Sequence, residues 1–191
     1  MYMTVLKIDF DSLQTRSYLM KIDDGDFMHK WLTSQMDCER VEQHILYRVD
    51  KFTDSIYIYI QSDSEFNLKN IKNSGMSVVK QFELDCTRDK IAFAVRCFPT
   101  HRVGDRRLYI LNAVERENYI RRVLSRCIDV ETIGEIRSAR YFVKGNKSLT
   151  FCDFSGTGTI KNYADFMNAV RHGIGKCKCY GAGMLLFKGV N

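Results

Sequence analysis

The order in which apolar periodicities follow one another leaves this chain few folds to choose from. Residues 2–10, "YMTVLKIDF", put Leu6, Ile8 and Phe10 on one face at period two, the pattern of a strand. "DDGDFMHKWLTSQM" then changes period: Met28, Trp31, Leu32 and Met36 form a helical stripe, with Asp24 or Asp26 as its N-cap. "HILYRVDKFTDSIYIYIQS" reads as a hairpin turning near Thr53–Ser55. A short amphipathic segment, "EFNLKNIKN", then precedes Gly75 and a further strand, "MSVVKQFEL".

The second half repeats this order. "KIAFAVRCF" is a strand, and "RENYIRRVLSRC" is a helix with Ile120, Val123, Leu124 and Cys127 on one side. "EIRSARYFVKGNKSLTFCDFSGTGTI" is a hairpin turning at "KGNK". "NYADFMNAVRHG" is a helix capped by Asn162 and ended by Gly173, and "MLLFKGV" is the closing strand. Each half reads β-α-β-β-α-β. The expected fold is therefore α+β, two tandem ferredoxin-like (RRM-like) domains over residues 1–85 and 86–191.

Charge separates the halves. Residues 1–85 hold 10 basic and 14 acidic side chains, a balance of −4, whereas residues 86–191 hold 19 and 9, a balance of +10. A basic half beside a mildly acidic one points to a polyanionic partner for the former. Hydrophobic residues make up 45% of the chain, enough for packed cores, and no apolar run reaches the ~20 residues of a membrane helix. The seven cysteines are scattered apart from the C-x-C of Cys177 and Cys179, and none has metal-ligand spacing. A cytoplasmic protein with reduced thiols, no metal and no cofactor is expected.

The segment "GIGKCKCYGAG" (173–183) admits three readings. A helix cap followed by a tight loop is the plainest. A dinucleotide fingerprint or P-loop would need its glycines between a strand and the following helix, and here they follow a helix. A nest of backbone N–H groups, charged by Lys176 and Lys178, would hold phosphate, with Gly173, Gly175, Gly181 and Gly183 admitting the anion closely. Composition alone leaves the cap and the phosphate loop both open.

"HGIGKCKCYGAGMLLF" after a hairpin and a helix, at the end of tandem ferredoxin-like halves, resembles the signature of the CRISPR repeat-RNA endoribonucleases. The CasE branch of the type I-E (Cascade) systems is the nearer match. "MYMTVLKID" resembles its opening strand, "MHKWL" its first-helix motif, and "ILYRVD…IYIYIQS" its first hairpin. "FAVRCFPTHRVGDRR" resembles a further motif, with Phe98 where Asn is usual. The resemblance spans nearly the whole chain. It implies binding of the repeat hairpin in precursor CRISPR RNA, one metal-independent cut at the hairpin's 3′ base, and retention of the product alongside other Cascade subunits. It also implies that the glycine loop supports the RNA backbone beside the cut.

Such a cut needs a group that moves protons near neutrality, for which histidine is suited. Of four histidines, His44 at a strand start reads as structural, and His101 as a phosphate or solvent contact. His172 adjoins the glycine loop. His29 matches the family's catalytic position and is the expected general acid or base, at the edge of the Met28/Trp31/Leu32 stripe. Some members have a tyrosine one turn before it; here Asp26 stands there, able to orient His29 or simply to cap the helix. Thr33 is a weaker substitute for that hydroxyl. For RNA binding the expected cations are Arg102, Arg106 and Arg107 in "HRVGDRR", Arg121, Arg122 and Arg126 on the helix, and Arg137, Arg140, Lys144 and Lys147 on the long hairpin. Backbone and shape dominate recognition of A-form RNA, and a thin basic hairpin suits that task. Two rival readings are a catalytically silent crRNA-binding subunit and an unrelated ferredoxin-like interaction module.

Overall fold

The computed structural model describes residues 1–10, 22, 24–34, 44–66, 76–143 and 147–190. Met36, Cys38, Gly75, Lys144, residues 67–73 of the amphipathic segment expected over 65–73, and the side chains of Thr33 and Lys147 fall outside what it describes. The chain divides into two compact units. One comprises Met1–Asp85, Phe142–Lys147 and Cys179–Gly181; the other comprises Cys86–Tyr141, Ser148–Lys178 and Ala182–Asn191.

In the first unit, β1 (Tyr2–Asp9), β2 (Leu46–Lys51), β3 (Ser55–Ser62) and β4 (Ser77–Glu83) form a sheet in the order β2-β3-β1-β4. The register sets Leu6 opposite Ile58 and Ile8 opposite Ile56, so one face is a continuous aliphatic surface. The helix α1 (Gly25–Ser34) sinks Met28, Trp31 and Leu32 into that core. Burying side chains of this size contributes about 1.5–3 kcal/mol each. Phe10, expected on the core face, is 38% exposed. The β1–β3 ladder ends at the Asp9–Ser55 pair, so Phe10 lies one residue beyond the strand. Asp24, not Asp26, caps α1: its Oδ1 accepts from the amides of Asp26 (2.9 Å) and Phe27 (3.3 Å). Asn or Asp at this position stabilises a helix by about 1 kcal/mol.

The second unit contains β5 (Lys90–Cys97), α2 (Ala113–Leu124), β8 (Ile128–Val143), β9 (Lys147–Ile160), α3 (Tyr163–His172) and β10 (Leu185–Gly189). Its sheet order is β10-β5-β9-β8. Counting strands within each unit, both sheets run 2-3-1-4, the permutation of a βαββαβ fold. A separate two-stranded ribbon, β6 (Thr100–Val103) with β7 (Arg106–Tyr109), lies between β5 and α2 in the chain.

Boundaries differ from the sequence reading at both ends of α2 and at the start of β8. α2 stops at Leu124, where Ser125 and Cys127 turn the chain, so Cys127 is buried outside the helix. β8 begins at Ile128, seven residues before the expected hairpin start at Glu135. Asn162 caps α3 as expected, its side chain accepting from the Asp165 amide at 3.0 Å.

The second unit also holds a buried ion pair. Arg96 is 2% exposed and donates to both carboxylate oxygens of Asp153, Nε to Oδ1 at 2.7 Å and Nη2 to Oδ2 at 2.9 Å. Arg137 adds a third bond to the same carboxylate at 2.7 Å. Cys97 and Cys152 face one another across β5 and β9; burial pushes the Cys97 thiol well above its usual range and raises that of Cys152. Among the described residues no helix is long and apolar enough to cross a membrane.

Candidate functional site

His29 lies in the middle of α1, partly exposed, next to Met28 at 2% exposure and three residues before the fully buried Leu32. The imidazole therefore sits at the boundary between core and solvent. Asp26, one turn earlier, places its Oδ2 2.9 Å from Lys30 Nζ, an i,i+4 ion pair. That carboxylate holds the Lys30 ammonium above its ordinary range. Lys30 is 74% exposed and was not singled out from the sequence, although the Asp-to-Lys spacing on one helix face was the available signal.

The glycine loop is a closed structure. Gly173, Gly175, Cys177, Gly181 and Gly183 all have φ between 62° and 85°. The Ile174 amide donates to Gly183 O and the Gly183 amide to Arg96 O, both at 2.7 Å. This corrects one expectation, because the Gly183 amide is committed inside the protein and cannot join a phosphate nest. Gly181 through Met184 are buried, whereas Gly175 and Lys176 are exposed, so the first half of the loop is the accessible half. Burial lowers the pKa of Lys178.

At Gly183 a Cβ would lie 2.6 Å from Ile174 O, at φ +85°. Gly183→Ala should cost about 1–3 kcal/mol, and a urea melt indistinguishable from wild type would refute this account of the loop.

The cations occupy distinct environments. Arg102 and Arg107 are paired directly across the β6–β7 ribbon, and Val103 is paired with Arg106. All four are exposed, along with His101. Arg102 also turns onto its own hairpin, donating to Gly104 O at 2.8 Å and to Asp105 Oδ1 at 3.3 Å. Arg116 secures the base of the ribbon. It donates twice to Glu135 on β8, at 2.6 and 3.1 Å, and also to the carbonyls of Ile110 and Leu111 just beyond β7. On α2, Arg122 lies 5.9 Å from the Tyr119 ring, whereas Arg126, expected on the helix, is exposed in the turn after it. Arg121 is partly spent on Val130 O at 3.2 Å, and Arg137 on Asp153. Arg140 is exposed on β8. Arg96 and Arg116 escaped the sequence reading. Arg96 shares a β5 face with Ala92 and Ala94, and that alternation was its only signal.

The family described as "CRISPR associated protein" matches residues 1–188. The chain belongs to that family. No curated protein matches it by sequence. Among solved structures, the CRISPR endoribonuclease Cse3 bound to a 19-nucleotide RNA superposes with a TM-score of 0.86 at 15% identity, over 99% of this chain and 100% of that one. Cse3 of Thermus thermophilus, bound to an RNA representing a pre-cleavage complex, gives 0.83 at 15% identity over 99% and 100%. Cas6e of Escherichia coli K-12 gives 0.76 at 18% identity over the full length of both chains. At these identities the likeness is one of fold.

In this CRISPR-associated protein the remaining histidines separate by environment. His44 Nδ1 lies 2.7 Å from Asp63 Oδ2, tying the start of β2 to the end of β3. His101 is exposed on the ribbon opposite Leu108. His172 occupies the last turn of α3, beside the accessible half of the glycine loop.

Proposed function

We propose that the protein is a metal-independent endoribonuclease of the CasE type. It binds the repeat hairpin of precursor CRISPR RNA, cuts once at the hairpin's 3′ base and stays on the product as a Cascade subunit. The observation that carries this reading is His29, a partly exposed imidazole on a capped helix of a chain that follows RNA-bound Cse3 over 99% of its length. Relatives of this fold also occur in Escherichia coli Cascade bound to a DNA target, at a TM-score of 0.56.

The chemistry requires only groups the chain has. The 2′-oxygen next to the scissile phosphate loses its proton and forms a bond to phosphorus. The bond to the 5′-oxygen breaks, that oxygen takes up a proton, and a 2′,3′-cyclic phosphate remains. His29 moves the proton, and Asp26 sets its surroundings from one turn away. Lys30 and Lys176 offer positive charge to the RNA backbone, and the exposed Gly175–Lys176 half of the loop lets that backbone approach. Gly173, Lys178, Gly181 and Gly183 hold the loop in shape.

The β6–β7 ribbon, with Arg102, Arg106 and Arg107, engages the phosphates of the stem, assisted by Arg122, Arg126 and Arg140. Replacing Arg102, Arg106 and Arg107 together by Gln should weaken repeat binding. It should also flatten the slope of log affinity against log salt by about 2–3, roughly one per lost phosphate contact. An unchanged slope would remove the ribbon from the RNA interface.

Cleavage of a cognate repeat RNA in EDTA tests the whole reading. The pairing of Asp26 with Lys30, where some relatives have a tyrosine, favours one second reading, a subunit that binds crRNA without cutting it. Binding of the repeat with no cleavage under any metal condition would decide for that subunit.

A further inference from the structure

Tyr180 ends the short 3₁₀ turn Lys178–Tyr180 in the glycine loop, and it belongs to the compact unit that contains α1. Its ring lies against the first residue of that helix. A Cβ at Gly25 would be 2.8 Å from Tyr180 Cδ1 and 3.3 and 3.4 Å from its Cβ and Cγ, so the ring fits only because residue 25 has no side chain. His29 is four residues further on, one turn along the same helix face. Helical side chains lean toward the N-terminus, which directs the imidazole of His29 over the turn that Gly25 begins. The phenol ring and the imidazole therefore share one patch of helix surface, and both are partly exposed.

The placement of Tyr180 is held from both sides. Tyr47, 2% exposed, donates its hydroxyl hydrogen to Cys179 O at 3.1 Å. On the other flank Gly181 lies against the same ring, where a Cβ would come within 3.1 Å of Tyr47 Cε2. One buried tyrosine thus fixes the backbone on either side of Tyr180.

Transesterification at a phosphodiester needs a proton-moving group and also a donor for the charge that builds on the phosphoryl oxygens. An ordinary phenol, with a pKa of about 10, is protonated at neutral pH and is suited to the second task. We propose that Tyr180 is a second catalytic residue, whose hydroxyl donates a hydrogen bond to a non-bridging oxygen of the scissile phosphate beside His29. The assignment rests on the ribonuclease reading above and adds to it a residue from the glycine loop.

Single-turnover cleavage and equilibrium binding of a repeat RNA, measured on wild type, Tyr180→Phe, Tyr180→Ala and Gly25→Ala, test it. Tyr180→Phe keeps the ring and removes only the hydroxyl. Its cleavage rate should fall about 10²-fold, while affinity stays within about twofold and the melting temperature is unchanged. Gly25→Ala displaces the ring and should slow cutting comparably. Combined with Tyr180→Phe it should add little, because both changes remove one interaction. A phosphorothioate at the contacted oxygen should slow wild type more than Tyr180→Phe. Wild-type cutting by Tyr180→Phe, or full rescue by Phe of a defect seen in Tyr180→Ala, would overturn the assignment and leave the ribonuclease reading standing. A wild-type protein that fails to cut the repeat would remove that reading and the assignment with it.

Discussion

His29→Ala should leave affinity for the repeat RNA nearly intact while single-turnover cleavage falls by about 10²–10⁴-fold, the usual contribution of a general acid or base. The separation of the two effects follows from where the side chain sits. His29 is partly exposed at the edge of the Met28/Trp31/Leu32 stripe, so its loss opens little of the core and leaves the capped helix in place. The exposed arginines of the ribbon are untouched, so binding persists. Cleavage at the wild-type rate in this variant would move the chemistry elsewhere, with His172 at the glycine loop the next histidine to replace. Loss of binding in step with cleavage would instead make His29 a residue of the RNA interface.

Asp153→Ala should be among the most damaging single changes in the chain, costing about 3–5 kcal/mol. The carboxylate is 4% exposed and neutralises Arg96, whose side chain is 2% exposed. Without it a buried guanidinium loses the carboxylate that accepts two of its hydrogen bonds. For a unit of roughly 100 residues that loss corresponds to a fall in melting temperature of more than about 12 °C. Arg137→Ala is the control. Arg137 meets the same carboxylate, but its side chain is 42% exposed, so its removal should cost about 1 kcal/mol or less. Equal melting temperatures for the two variants would show that the Arg96–Asp153 pair relaxes to solvent and does not depend on its buried geometry.

The periodicity of the chain contained most of the architecture. Alternation over residues 2–10 and 44–62, and the i, i+3, i+4 stripe of Met28, Trp31 and Leu32, are local patterns set by which side chains must leave water. They gave the strands of both four-stranded sheets and the described helices in their order, and the repetition of that order gave two like halves, but they did not give the β6–β7 ribbon. The capping of α3 by Asn162 was legible for the same reason, since a cap acts within three residues of itself. Local signals were less decisive where two candidates competed. Asp24 and Asp26 were both plausible caps, and only the backbone geometry gave Asp24 the amides and left Asp26 to Lys30.

What the tertiary structure alone decided involves residues far apart in sequence. Arg96 meets Asp153 because β5 pairs with β9, and no periodicity in either strand announces an ion pair buried by that register. The commitment of the Gly183 amide to Arg96 O, and the exposure of Gly175 and Lys176, divide a loop that the sequence presents as uniform glycine. Tyr180 comes against Gly25 across more than 150 positions, a proximity set by packing around Tyr47. Local sequence determines which element each residue joins, because dihedral preference and side-chain period act over a few residues. Which elements then touch depends on how the cores close, and it is that closure that brings a phenol to the helix carrying His29.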